Sequence, residues 1–160
     1  MALTAHMCLL GPLVYNRGMY TSKIRPAIEK YLEDRPDEAA FLRSEFNGLG
    51  KTRSGVDKAL RAMVKDGKLV RVGYGIYVRS ERRVSSITGE VITAKVAPPE
   101  LWTPQVLRKL GVTVGPSQAM REYNERQTTQ VPARYAYDVG NSRIRRRILI
   151  GKVPVRYERA

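Results

Sequence analysis

The chain has 160 residues and is strongly basic, with 29 lysines and arginines against 15 aspartates and glutamates and a formal net charge of +14. This length provides for one good hydrophobic core or two small ones. The single cysteine excludes an internal disulfide and a cysteine zinc site, and the single histidine argues against a metal hydrolase. The excess of positive charge favours a polyanionic partner.

The first residues contain the apolar run MALTAHMCLLGPLVY. This run is too short to span a bilayer, and no basic residues precede it as they would in a signal peptide. We therefore expect residues 1–20 to form an N-terminal tail, and we expect a cytoplasmic protein with no membrane partner.

Regular hydrophobic spacing begins after this tail. It predicts a first helix over residues 23–33, capped by Ser22 and ended by Arg35-Pro36-Asp37. A short second helix is predicted over residues 43–46, and the residues Asn47-Gly48-Leu49-Gly50 are predicted to form the turn that follows it.

The clearest pattern lies in residues 52–79, TRSGVDKALRAMVKDGKLVRVGYGIYVR. Thr52 is predicted to cap a third helix and Gly67 to end it. Two strands follow, joined by a turn at Gly73-Tyr74-Gly75. Apolar residues at spacings of three and four predict the buried face of the helix, namely Val56, Leu60, Met63 and Val64.

A basic helix followed by a basic hairpin is typical of a winged helix-turn-helix, and we assign this fold to residues 21–80. In that fold the helix enters the major groove of DNA and the hairpin lies along the backbone. Residues 51–79 hold eight basic and two acidic side chains, a net +6, whereas residues 1–50 hold six of each. The predicted base-reading residues are Thr52, Arg53, Ser54, Lys58 and Arg61. The predicted backbone contacts are Lys51, Lys68, Arg71, Tyr74 and Arg79.

Residues 100–160 predict a second, small domain of helices and antiparallel strands, reached through a linker or strand over residues 81–99. The overall fold class is therefore α+β. Its first helix is predicted over residues 100–111, with Thr103 as the cap and Pro104 at the first helical position. The elements predicted after it are a strand over 112–114, a helix over 116–124 and strands over 134–139, 144–150 and 153–157.

The strand predicted over residues 144–150 carries several arginines. Period-two alternation puts Ile144, Ile148 and Ile150 on one face and Arg143, Arg145 and Arg147 on the other. Arg146 falls on the apolar side, where we expect it near an edge or in an ion pair. The three arginines either blunt an exposed sheet edge or extend a DNA contact, so they are further candidates for contacts to the backbone.

The run FLRSEFNGLGKTRSGVDKALRAMVKDGKLVRVGYGIYVR resembles the winged helix-turn-helix of AbiEi-family antitoxins. The matching residues are Phe46, Leu49-Gly50, Val56-Asp57-Lys58-Ala59-Leu60, Gly67-Lys68-Leu69 and Gly75-Ile76-Tyr77. Lys51 is an extra residue between the turn and the helix. A second run, residues 115–160, resembles the C-terminal domain of the same family through Pro116-Ser117, Asn124, Thr129-Gln130-Val131-Pro132 and Arg156. Tyr157 stands where relatives often have histidine.

This resemblance implies a transcriptional repressor that is also the antitoxin of a type IV toxin–antitoxin system. It implies that the winged domain binds repeats in its own promoter. It also implies that the C-terminal domain neutralises a nucleotidyltransferase toxin.

Three alternatives stay open. The first is a stand-alone DNA-binding regulator of a mobile element, with no toxin partner. The second is an RNA-binding protein, which the scattered tyrosines disfavour because RNA recognition uses exposed aromatic platforms. The third is a metal-dependent nuclease built on Pro36-Asp37 and Asp66-Gly67-Lys68, which is disfavoured because these residues fall in a loop and at a helix exit. We expect no enzyme activity, and no catalytic residue, metal or cofactor is assigned.

Overall fold

The computed structural model describes residues 23–130 and 135–159, and within them the chain forms a mixed α+β fold. The N-terminal half contains α1 (Ile24–Glu33), β1 (Ala40–Leu42), a 3₁₀ helix (Arg43–Leu49), α2 (Arg53–Lys65), β2 (Leu69–Gly73) and β3 (Ile76–Val84). The C-terminal half contains β4 (Val91–Lys95), α3 (Pro99–Lys109), β5 (Gly115–Pro116), α4 (Gln118–Asn124), β6 (Ala136–Asp138), β7 (Leu149–Ile150), β8 (Val153–Pro154) and β9 (Arg156–Glu158). No helix of the described residues is long and apolar enough to cross a bilayer.

The first two helices agree with the sequence pattern in position. The predicted cap Ser22 lies outside the described residues, and Lys23 precedes α1 without a side-chain cap. The second helix is a 3₁₀ helix that runs on to Leu49, so it includes most of the predicted turn. Phe46 anchors it, because this side chain is fully buried.

Helix α2 confirms the predicted amphipathic helix. The Thr52 hydroxyl oxygen accepts a hydrogen bond from the Gly55 amide, which satisfies one of the free N–H groups of the first turn. Val56, Leu60 and Met63 are buried, and Val64 is half-buried. Gly67 adopts a φ of +75°, the left-handed conformation that ends the helix at low cost.

Strands β1, β3 and β2 form an antiparallel sheet in that order. The β2–β3 turn is at the predicted place, but β3 is nine residues long and continues past the predicted strand. Its second half pairs with β4, so that Val84 faces Val91. Residues 80–95 therefore form a β-hairpin that extends from the sheet.

The two faces of this sheet pack against different parts of the chain. Phe41, Leu69 and Tyr77 face α1 and α2, and belong to one core cluster. The other face contacts the C-terminal half through a second cluster made of Val72, Ile76, Val78, Trp102, Leu107 and Ile148, among others. The described residues of the two ranges predicted as separate domains, 21–80 and 100–160, thus share a hydrophobic core.

The start of α3 differs from the prediction. The helix begins at Pro99 after Pro98, and Thr103, expected to be the cap, is fully buried inside it. Proline is favoured at the first helical position, and the outer Pro98-Pro99 pair occupies that place instead of Pro104. Gly111, with a φ of +77°, follows the end of the helix as expected.

The predicted strand over residues 144–150 is wrong in its first part, since only Leu149–Ile150 is a strand there. In the segment before this strand, backbone carbonyls accept hydrogen bonds from side chains and not from a neighbouring strand. The Arg159 guanidinium donates to the carbonyls of Ser142 and Ile144, each at 3.0 Å. A backbone whose carbonyls already accept these bonds does not need a ladder partner.

The C-terminal strands are shorter than predicted, and their arrangement is not wholly antiparallel. The strand expected over residues 112–114 lies at Gly115–Pro116, and the one expected over 153–157 is split into β8 and β9. Strand β6 pairs antiparallel with β5 and parallel with β9. The start of α4 is fixed by the Ser117 hydroxyl oxygen, which accepts from the Met120 amide at 3.2 Å.

Candidate nucleic-acid interface

A groove of about 730 Å³ opens where the start of α2, the 3₁₀ helix and the β2–β3 turn meet. One acidic side chain, Asp57, lines it. The six basic side chains that line it are Arg43, Lys51, Arg53, Arg61, Arg71 and Arg146. Such an excess of cations around a concave surface produces a positive field that attracts polyanions.

Helix α2 contributes one stripe of side chains to this groove. Arg53, Asp57 and Arg61 are spaced four residues apart, so they lie above one another on the same face. Both arginines are exposed. The Arg61 Nε donates to the backbone carbonyl of Asp57 at 3.3 Å, which holds its stem along the helix.

Arg43 connects the 3₁₀ helix to the start of α2. Its guanidinium forms an ion pair with the Asp57 carboxylate and donates to the Asn47 side chain. A third bond, of 3.1 Å, reaches the backbone carbonyl of Arg53. A charge with this many partners fixes the angle between the two helices more than it offers a free contact.

The β2–β3 turn forms the opposite wall. The Gly75 carbonyl accepts a hydrogen bond of 2.8 Å from the Arg43 amide, which joins the turn to the 3₁₀ helix. Arg71 donates to the Gly73 carbonyl at 3.2 Å, and its guanidinium carbon lies 5.7 Å from the centre of the Tyr74 ring. Tyr74 is 74% exposed and marks the tip of the turn.

The C-terminal half supplies the remaining cation, Arg146. Ile148 forms a β-bridge with Gly73, which places the segment 143–147 beside the turn. The Arg146 carbonyl accepts a hydrogen bond of 2.6 Å from the Tyr157 hydroxyl. Arg146 was expected on the apolar side of a strand, yet it is exposed, because strand alternation does not apply to a segment that is not a strand.

Five of the predicted contact residues meet in the groove, namely Lys51, Arg53, Arg61, Arg71 and Tyr74. Others are exposed but lie outside it: Thr52, Ser54, Lys58, Arg143, Arg145 and Arg147. The groove therefore includes both predicted base-reading residues and predicted backbone contacts.

Arg79 has a structural role that the sequence did not indicate. One guanidinium nitrogen donates to three backbone carbonyls, those of Leu32 and Arg35 at 2.8 Å and that of Glu38 at 3.2 Å. These carbonyls lie at and beyond the end of α1, and two of them also accept from backbone amides, that of Leu32 from Arg35 and that of Arg35 from Glu38. The assignment of Arg79 as a phosphate contact is corrected accordingly, since its donors point into the fold.

Lys68 is exposed but paired. Its ammonium lies 2.7 Å from the Glu29 carboxylate, and this hydrogen bond, followed by that from Arg25, lowers the pKa of Glu29 despite partial burial. Arg25 also pairs with Asp66 at 2.6 Å. The network links α1 to the exit of α2, so Lys68 has to leave Glu29 in part before it contacts a phosphate.

Sequence reasoning missed Arg43 and Arg146 as groove residues. For Arg43, the available signal in the sequence was its position four residues before Asn47 on a short helix. For Arg146 the sequence offered only the alternation of side chains along a predicted strand, and that alternation placed Arg146 on the apolar face. Both positions depend on contacts between segments that are distant in the chain.

Two residues of the nuclease-like set, Asp66 and Lys68, are engaged in ion pairs with other residues. Asp66 pairs with Arg25, and Lys68 pairs with Glu29. Within residues 23–130 and 135–159, no group of three or more histidine, cysteine, aspartate or glutamate side chains is placed to hold a metal ion.

No protein-family model matches the chain, and no curated protein matches it at a significant level.

Proposed function

We propose that this protein is a sequence-specific repressor that binds double-stranded DNA through the basic groove. The observation that carries the proposal is the meeting of six cations from α2, the 3₁₀ helix, the β2–β3 turn and residue Arg146 around one carboxylate. A duplex carries a negative charge about every 1.7 Å along its axis, so a surface of this kind gains affinity by releasing counterions.

The order of elements supports a winged helix-turn-helix. A helix, a short strand, a second short helix, the amphipathic α2 and a β-hairpin follow one another along residues 24–84. In such folds the last helix enters the major groove while the hairpin, or wing, follows the neighbouring backbone. The start of α2 and the wing turn lie on the same groove here, as that mode of binding requires.

The exposed side of α2 supports base recognition. Arg53 and Arg61 are exposed along one stripe, and arginine makes paired hydrogen bonds to guanine in the major groove. Ser54 and Lys58 form the adjoining exposed stripe. Arg71, Tyr74 and Lys51 then contact the sugar-phosphate backbone and set the orientation of the helix.

We further propose that the protein is the cytoplasmic, autoregulating antitoxin of a type IV toxin–antitoxin system, acting on repeats in its own promoter. The support is the resemblance of both halves of the chain to AbiEi-family proteins. The nucleotidyltransferase toxin would be the partner of the C-terminal half. A stand-alone regulator would have the same groove but no neighbouring gene for a nucleotidyltransferase. Co-expression with an adjacent nucleotidyltransferase therefore separates an antitoxin from a stand-alone regulator.

The experiment that tests DNA binding is a footprint on the upstream region of the gene with four proteins. These are the wild type, Arg53→Ala, Arg61→Ala and the control Lys30→Ala, which removes an exposed charge on α1 outside the groove. We expect protection of repeated sites by wild type and control, and weakened protection by the two groove variants. Equal protection by all four proteins would contradict the proposal, as would an absence of protected sites.

A further inference from the structure

The hairpin formed by β3 and β4 exposes an unusual amount of apolar surface. Among residues 23–130 and 135–159, half of the ten large apolar side chains that are exposed lie between residues 84 and 96, and they are Val84, Ile87, Val91, Ile92 and Val96. Ile87, at 93% exposure, is nearly as accessible as in an extended chain. Concentrated apolar exposure of this kind marks an interaction surface more often than scattered single residues do.

Strand β4 is also an open sheet edge. Among the described residues it pairs only with β3, along Val91–Lys95. Native edges are commonly protected by charged residues, prolines or bulges that discourage pairing with another strand. The sequence VITAK has no charge before Lys95, no proline, and a continuous register with β3.

The hydrogen-bond pattern identifies which backbone groups are free. The Ser85 amide bonds to the Glu90 carbonyl, and the Val96 amide bonds to the Arg79 carbonyl. In an antiparallel ladder every second residue bonds to a given neighbour, so Ile92 and Ala94 also point to β3. The N–H and C=O groups of Val91, Thr93 and Lys95 therefore point outward, towards the open side.

We propose that this edge pairs with the same edge of a second copy of the chain, giving a two-fold symmetric dimer. In the antiparallel register that joins the outward-facing residues, Thr93 lies opposite Thr93 of the second copy on the two-fold axis. Val91 then lies opposite Lys95 of the second copy, and Ile92 opposite Ala94. A two-fold interface of this kind uses one surface patch twice.

The charges of the strand fit this register. No two like charges face each other, and the two Lys95 side chains are offset by four residues, about 13 Å along the strands. Thr93 meets its own copy, a pairing that is favourable across antiparallel strands. A slip by four residues in the direction that moves the two lysines together would place Lys95 opposite Lys95, so charge disfavours that register.

The dimer leaves the basic groove accessible. The groove lies at the Ile76 end of β3, whereas β4 pairs with Ser80 to Val84, about 13 to 26 Å further along the strand. The dimer is therefore an additional property that does not depend on DNA binding, and it would present two grooves on one particle.

Sedimentation of the full chain without DNA tests the proposal. We expect a concentration-dependent shift from monomer to dimer for the wild type. Thr93→Pro removes an outward N–H that β3 does not use and should abolish the dimer, while Thr93→Val keeps that N–H and should retain it. A wild type that stays monomeric at its highest soluble concentration would overturn the proposal and leave the patch for a strand of another protein.

A second pair of variants covers the case in which Thr93→Pro fails to fold. Val91→Lys places like charges opposite each other at both ends of the pairing and should shift the equilibrium to monomer by tenfold or more. Val153→Lys adds the same charge at another half-exposed strand position and should not. If both lysine variants fold and both still form the dimer, the interface lies elsewhere and the β4 pairing is refuted.

Discussion

Gly73 lies directly against Arg147, so closely that a Cβ atom on the glycine would be 2.7 Å from the Arg147 carbonyl oxygen. This close approach joins the end of β2 to the C-terminal arginine segment. It explains how Arg146, 73 positions further along the chain than Gly73, comes to line the same groove as the β2–β3 turn.

We expect Gly73→Ala to destabilise the protein by about 1–3 kcal/mol, because both the backbone of residue 147 and the Ile76 side chain would have to shift. The matched control is Gly48→Ala, since a Cβ there meets nothing within 4 Å. Urea unfolding measures both variants. Equal midpoints for Gly73→Ala and Gly48→Ala would show that the close approach does not constrain the fold.

The affinity for duplex DNA should fall steeply with salt. If the protein neutralises about six phosphates, the plot of log K against log salt concentration has a slope of roughly −5. Arg71→Ala should reduce the magnitude of that slope by about one unit, because it removes one such contact. Titrations at several salt concentrations test this, and an affinity that does not change between low and moderate salt would contradict it.

Arg61→Ala should change base preference as well as affinity. We expect a loss of about 1–3 kcal/mol on the preferred sequence and a smaller loss on other sequences. Lys68→Ala should weaken binding to all sequences about equally, and only slightly, because Lys68 already pairs with Glu29. Binding to a randomised library measures both effects, and a uniform loss for Arg61→Ala would move the base-reading role to another residue.

Arg79→Met should act on stability. Three carbonyls at and beyond the end of α1 would lose a charged donor, although those of Leu32 and Arg35 keep a backbone amide donor. We expect a cost of about 1–3 kcal/mol, because hydrogen bonds from a charged group are stronger than neutral ones. The apolar methionine keeps the contact with the Phe41 ring, over which the guanidinium lies. Once the folded fraction is accounted for, DNA affinity should equal that of the wild type. A loss of affinity at full folding would restore Arg79 as a phosphate contact.

The raised pKa of Tyr157 predicts that the protein loses stability at alkaline pH. Burial raises its pKa to about 12, so the folded state favours the neutral phenol, which donates to the Arg146 carbonyl. A pKa raised above the ordinary value of 10.0 contributes stability that is complete below that pH and is lost as the pH rises through about 12.

The variant Tyr157→Phe lacks this ionisation. Near neutral pH it should be less stable than the wild type by about 1 kcal/mol, because the hydrogen bond is absent. At about pH 11 the difference should shrink or reverse, since only the wild type loses stability on ionisation. Chemical unfolding at the two pH values measures the change, and a constant difference would show that the phenol is not buried against residue 146.

Local sequence was sufficient for several elements of the N-terminal half, but it did not predict strand β1. The buried stripe of α2, the Thr52 cap, the left-handed Gly67 and the turn before Ile76 all depend on residues a few positions apart. The start of α3 shows the limit of such reasoning, because two nearby prolines, Pro99 and Pro104, both suited the first helical position. The helix begins at Pro99, which includes Trp102 in its first turn and buries it in the same core cluster as Leu107.

The sequence by itself determined the amphipathic helices, the hairpin and the strongly positive charge, because these are properties of neighbouring residues or of composition. Tertiary structure decided which cations face the groove. Arg79 turns inward to carbonyls 41 to 47 residues away, and Arg146 reaches the groove through the bridge between Gly73 and Ile148. Such placements follow from how distant segments satisfy each other's backbone groups, and no periodicity within one segment contains that information.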